Sequence, residues 1–245
     1  MATGAKYSAE QAAALSRQME GKTPQEIIAW SFQEFGSNIG FASSFGAEDV
    51  AMIDMIAKVA PGLRIFTLDT GRLHDETYYV MDQVRQRYGT KIETVFPERE
   101  AVETLVRSKG FYSFQESIEN RKECCFIRKV QPLQRVLGGL DAWMTGLRRD
   151  QAVTRANTAI VEIDEANGGL AKVNPLVDWS NDDVWAYIKA NDVPYNPLHD
   201  QGFPSIGCAP CTRAIMPGED IRAGRWWWEL PEYKECGLHP GIKTA

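Results

Sequence analysis

Four short apolar runs alternate with longer stretches of helical pattern, and this alternation limits the fold more than any other feature of the chain. The runs are "NIGFASS" (38–44), "LRIFTLD" (63–69), "IETVFP" and "AWMTGL" (142–147). The segments "GAEDVAMIDMIAKVA" and "HDETYYVMDQVRQRYG" lie between them and read as helices, the first with acidic residues in its opening turn. Strands alternating with helices predict a parallel sheet built from βαβ units. "ECCFIRKVQPLQRVL" reads as helical at its start. "AIVEID" and "LAKVNPLVDW" are two further strand candidates, and "SNDDVWAYIKAND" is a helix capped by Ser180 or Asn181. Upstream, 8–35 holds two helices. Ser8 opens one, and Thr23, Pro24 and Glu26 give the other a capping-box start. From Val193 onward Pro, Gly and Asn predict irregular structure.

The 245 residues are 44% hydrophobic and 24% charged, enough for one large α/β domain. The expected division is one domain over 1–225 and a flexible C-terminal tail over 226–245. The first 20 residues lack a continuous apolar stretch, so no signal peptide is expected. The longest apolar runs fall short of a membrane span. A cytoplasmic protein with no membrane association is the expectation. The net charge of −6 argues against general nucleic-acid binding, although a local arginine cluster could still attract a small anion.

In an open α/β sheet, ligands bind beyond the carboxyl ends of the strands. Three loops hold that position. "SSFGAED" offers Ser43, Ser44 and Gly46 as donors to an anion at a helix N-terminus. It lacks the lysine of a Walker-type loop. "LDTGRLHDET" brings Asp69, Thr70, Gly71 and Arg72 off a strand end. "TGLRRDQ" contributes Arg148 and Arg149, with Arg155 just beyond. Turn glycines with solvated charges are the plain alternative for each loop taken singly.

The five cysteines are Cys124, Cys125, Cys208, Cys211 and Cys236. An odd number argues against a disulfide framework. Four thiolates in "CC" and "CAPC" could hold zinc or an iron–sulfur cluster. Neighbouring helical side chains point about 100° apart, so a wide cubane suits adjacent cysteines better than one zinc ion does. Cys236 stands apart in "YKECGLHPGIKTA", where Gly and Pro suit a mobile element. Lys129, four residues after Cys125, would lie on its side of a helix. Arg222 and Arg225, three apart, would share one helical face and match sulfate or phosphate oxygens. The run Trp226-Trp227-Trp228 suits core packing or a lid.

Taken together, "SFGAED", "LDTGRLHDET", "CCFIRKV", "TGLRRDQ", "GCAPCT", "RAGRWWWE" and "KECGLH" resemble the assimilatory adenylyl-sulfate (APS) reductases, relatives of the phosphoadenylyl-sulfate (PAPS) reductases. The resemblance runs from about residue 25 to 240. It implies an adenine-nucleotide α-hydrolase-like, Rossmann-like fold. It also implies a [4Fe–4S] cluster on Cys124, Cys125, Cys208 and Cys211. Lys129 would lie near both cluster and substrate, and Lys129, Arg155, Arg222, Arg225 and His239 would face the phosphosulfate. Arg148 and Arg149 could only brace their loop. Cys236 would attack the sulfur of APS, giving S-sulfocysteine and AMP, and a thioredoxin- or glutaredoxin-like dithiol would then release sulfite. Such an enzyme serves sulfate assimilation and cysteine biosynthesis, and a homo-oligomer is compatible with it. The alternatives are a PAPS reductase or dual APS/PAPS reductase, an adenylyltransferase on the same fold, and a non-catalytic iron–sulfur or nucleotide sensor. An adenylyltransferase would want an SGGxDS loop, and a sensor would have no reason for the tail thiol.

Overall fold

A computed structural model describes residues 6–151 and 155–230. A six-stranded sheet of order β3-β2-β1-β4-β6-β5 forms its centre. Strands β1 (Ile39–Ser43), β2 (Arg64–Leu68), β3 (Ile92–Val95), β4 (Ala142–Met144) and β6 (Leu170–Val173) are parallel. Strand β5 (Val161–Asp164) pairs antiparallel with β6 at the edge, so the expectation of a parallel sheet holds for all but one strand. The last two strand candidates thus form a hairpin, which a short connection between them allows.

The helices begin where their capping chemistry places them. Helix α1 (Ala9–Met19) is capped by Ser8 and α2 (Pro24–Phe35) by Thr23, with Glu26 returning a bond to the cap backbone. Helix α3 (Ala47–Val59) is the central one, with Val50, Met52, Ile53, Met55 and Ile56 at most 1% exposed. Burying a side chain of this kind stabilises by roughly 1.5–3 kcal/mol, so α3 is fixed firmly beneath the loop that precedes it. Helices α4 (Asp75–Tyr88) and α8 (Asn181–Ala190) complete that layer, and Ser180 caps α8.

The other layer contains α5 (Arg99–Lys109), which sequence pattern did not reveal, and one long rod. The rod consists of α6 (Ile118–Cys125), a π-helical turn over Phe126–Val130, and α7 (Gln131–Leu137). In the π turn the Gln131 N–H bonds the Phe126 carbonyl five residues back. Such bulges often mark functional positions. Pro132 follows the widened π turn directly, and "ECCFIRKVQPLQRVL" stays helical beyond its start. Residues beyond 193 are irregular as expected, with short 3₁₀ turns at Pro197–Gln201 and Ala209–Cys211. Among the described residues no helix is long and apolar enough to cross a membrane.

Candidate functional site

From β1 the chain proceeds to β2 and β3 on one side, then returns to β4 on the other. A ligand crevice is expected at that reversal, outside the carboxyl ends of β1 and β4. A cleft of about 690 Å³ opens there, lined by Ser43, Ser44 and Gly46 after β1 and by Thr145, Gly146 and Arg148 after β4. Its apolar wall includes Phe66, Leu68, Leu133 and Trp143.

The loop after β1 is held from within. Ser44 donates its amide (2.5 Å) and hydroxyl (2.7 Å) to Asp49 Oδ2 on α3, and the Phe45 amide donates to Ser43 Oγ. The Ser44 donors expected for a bound anion are thus directed at an internal carboxylate. Phe45 takes a left-handed conformation (φ 59°), which is costly for an aromatic residue. Burial pushes the Asp49 carboxyl up to about 6, against the opposing pull of the Ser44 hydroxyl and amide. Glu48 adds to the rise. A carboxyl whose folded value lies above its unfolded one costs stability once pH exceeds both. The cost here is on the order of 3 kcal/mol above pH 6, fading as pH falls towards 3.8. Asp49→Asn is therefore expected to unfold at higher urea than the parent at pH 7.5, with the two midpoints converging near pH 4.

Cations gather along the cleft. Lys129, Arg148, Arg155, Arg222 and Arg225 all line it. Arg222 and Arg225 reach it from a turn, in which the Arg225 amide bonds the Arg222 carbonyl (2.9 Å), and not from a helix. Arg225 also pairs with Thr212 in an isolated antiparallel bridge. Gly224 allows this, because a side chain there would collide with the Arg213 carbonyl. Arg148 is 1% exposed and gives two bonds to Glu48 (3.0 and 2.8 Å), so its charge is spent on the partner loop. Gln151 also donates to Glu48 and receives from Arg155. Arg149 pairs with Asp178 and bonds the Thr158 carbonyl, which braces the loop.

The loop after β2 divides its residues between two tasks. Thr70 lines the cleft, whereas Asp69 accepts the Gly71 amide (2.7 Å) and the Tyr78 hydroxyl (2.9 Å) and so shapes the turn. Gly71 has φ 70°, and Arg128 Nη1 lies where its side chain would point. Arg72 turns away from the cleft. It stacks over Phe114 (5.1 Å) and donates to the Phe111 carbonyl.

That turn leads to the cysteines. Cys124 and Cys208 are buried, Cys125 and Cys211 half-buried, and none forms a disulfide. The Ala209 amide bonds the Arg72 carbonyl, and Thr70 Oγ1 lies 3.3 Å from Cys208 Sγ. Burial pushes Cys211 up to about 12, and the charges of Cys208, Cys125 and Cys124 push the same way. Cys208 behaves oppositely. Burial raises it, but Lys129, the Thr70 hydroxyl, Arg225 and Arg128 together hold it below the ordinary thiol range. Burial raises Cys124, with Arg128 and Arg72 opposing. Among the described residues no three His, Cys, Asp or Glu side chains converge on a single ion position. Four thiols, two on α6 and two on the 208–211 turn, with Cys211 feeling the charge of the other three, fit a cluster. Lys129 faces both places, since it lines the cleft and its charge bears on Cys208 and Cys211.

Comparison with known proteins settles the family. Residues 38–214 match the phosphoadenosine phosphosulfate reductase domain. The chain is 52% identical over 229 residues to the adenosine 5'-phosphosulfate reductase of Burkholderia cepacia, covering 93% of this chain and 91% of that one. The chain belongs to the phosphoadenosine phosphosulfate reductase family.

Among solved structures, the PAPS reductase of Candida auris superposes with a TM-score of 0.75 at 29% identity, over 87% of this chain and all of that one. The FMN adenylyltransferase of Candida glabrata has a TM-score of 0.56 at 13% identity, over 97% of this chain and 82% of that one, and shares the fold alone. The family match encloses both cysteine pairs and Lys129, but Arg222 and Arg225 lie beyond its end. Cys236 and His239 lie outside the described residues. Fixed packing reaches past the expected domain boundary at 225. Trp226 is buried, and Glu229 forms a buried ion pair with Arg121. Glu48, Asp49 and Gln151 line the cleft and Arg128 donates to the Thr70 carbonyl beside it, and none of the four was singled out in sequence. The acidic first turn of α3 was visible there, but its role as an internal anion was not.

Proposed function

We propose that this chain is an APS reductase that converts adenylyl sulfate and a dithiol to sulfite, AMP and a disulfide. The observation that carries the reading is the ring of cations, Lys129, Arg155, Arg222 and Arg225, at a nucleotide-sized cleft in a chain of net charge −6. Guanidinium and ammonium groups there neutralise the phosphosulfate oxygens and leave the sulfur open to attack. The Cys236 thiolate attacks that sulfur. A sulfur–sulfur bond forms, the sulfur–oxygen bond to phosphate breaks, and AMP leaves with the electron pair. A reduced thioredoxin- or glutaredoxin-like partner then attacks Cys236 Sγ and expels sulfite, and its second thiol closes a disulfide and frees Cys236. The dithiol supplies both electrons. Lys129 joins the arginines as a partner of the phosphosulfate, and His239 is assigned the same role by resemblance alone.

Cys124, Cys125, Cys208 and Cys211 would hold a [4Fe–4S] cluster, supplying a fixed charge beside the substrate and a tie between α6 and the 208–211 turn. Lys129, which lines the cleft and bears on Cys208 and Cys211, would couple that charge to the substrate electrostatically. Sulfite formation from APS with reduced thioredoxin, together with an iron and sulfide count, tests the reading. Turnover is expected on APS and lower turnover on PAPS, with about four irons per chain. Faster turnover on PAPS, or pyrophosphate release from ATP, would overturn it. The protein is placed in the cytoplasm on this reading.

A further inference from the structure

Trp226 is a bulky residue in a left-handed conformation (φ 40°) that is only 1% exposed. Backbone strain of this kind persists only where the surroundings enforce it, and it clusters at functional sites. The indole N–H makes no hydrogen bond to a described protein group, so what the ring offers is its π face. Two guanidinium groups use it: Arg225 at 4.7 Å from the ring centroid and Arg121 at 4.9 Å. The Trp226 amide bonds the Cys211 carbonyl at 3.1 Å. Arg121 is itself ion-paired with Glu229 and sits on α6 one turn before Cys125.

The indole acts on Arg225 beside that residue's other contacts. Its Nη1 bonds to Ser205 Oγ and the Ile206 carbonyl are both long, at 3.3 Å. The guanidinium also lies against Gly207, where any Cβ would displace it. We propose that Trp226 is a positioning residue for substrate: its indole holds the Arg225 guanidinium at the cleft, and its ties to Arg121 and the Cys211 carbonyl key that placement to the two cysteine-bearing segments. The inference rests on the reading that Arg225 grips the phosphosulfate. A desolvated cation–π contact is strong enough to set such a side chain's direction.

The test is a double-mutant cycle in the full-length, iron-loaded enzyme, reading kcat and KM for APS with reduced thioredoxin. Trp226→Leu is expected to lower kcat/KM about tenfold, mostly through KM, and Trp226→Phe only about threefold, because a smaller ring retains part of the contact. In an Arg225→Ala background either change is expected to cost less than about twofold, because the group it positions is gone. Gly207→Ala, which moves the same guanidinium without touching the indole, should reproduce the KM effect. Equal losses in both backgrounds would overturn the proposal and leave Trp226 a packing residue. Wild-type kcat/KM in Arg225→Ala would overturn the reading of the cleft instead. If Trp226→Leu does not fold, the Trp226→Phe cycle decides, with a loss that ignores the Arg225 background counting against positioning.

Discussion

Cys236→Ser is expected to abolish sulfite release, by a factor on the order of 10³ or more, while AMP binding and the visible absorbance of an iron–sulfur cluster persist. A hydroxyl in this place cannot form the sulfur–sulfur bond and is far less ionised than a thiol at neutral pH. Mixing the parent enzyme with APS and no reductant should add one SO₃ group to Cys236 by mass spectrometry, and the serine variant should stay unmodified. Retained turnover in Cys236→Ser would refute the nucleophile and with it the two-step route to sulfite. The reading of the four cysteines in the body would be unaffected by that result, since none of them takes part in the attack.

The largest stability effect is expected at Glu229. Its carboxylate takes two bonds from Arg121 (2.9 and 2.8 Å), and the two side chains are 4% and 1% exposed. Removing one member of a buried pair strands the other, at about 3–5 kcal/mol. Glu229→Ala should therefore lower the thermal midpoint by about 10 °C. Arg121→Met combined with Glu229→Leu should regain most of that loss, since an apolar pair avoids the desolvation penalty. A melt of Glu229→Ala within a degree or two of the parent would show that the pair contributes little. The pair also fixes the last described turn of chain onto α6, which carries Cys124 and Cys125.

Local chemistry was legible in sequence, and long-range pairing was not. The Thr23–Pro24–Glu26 start of α2 and the Ser180 cap of α8 depend on residues a few positions apart, and both form as read. The strands are continuous apolar runs because a parallel sheet is covered on both faces, and this made β1, β2 and β4 recognisable. Helix α5 was not singled out although Val102, Leu105 and Val106 recur at helical spacing in it, and Glu98 gives it no side-chain cap to mark its start. Arg148 looked equally suited to substrate or brace, and the deciding partner, Glu48, lies a hundred residues away. Spacing suggested a helix for Arg222 and Arg225. A turn serves instead because Gly224 lets the chain pass against the Arg213 carbonyl. The cysteine spacing was informative since four thiols have few structural uses, while the Arg121–Trp226–Arg225 stack joins distant segments and leaves no local pattern.

The five-residue π turn joins two halves of one screw. A π turn spends one residue more than an α turn on the same sweep, so excising any one member of 126–130 would close the stretch into regular α-helix and leave the two halves on nearly their present bearing. The thiols at 124 and 125 and Leu133 on the cleft wall would keep their places on the two halves. What such a deletion would remove is the widened turn itself, from which Arg128 and Lys129 bring their charges to bear on Cys124 and Cys208.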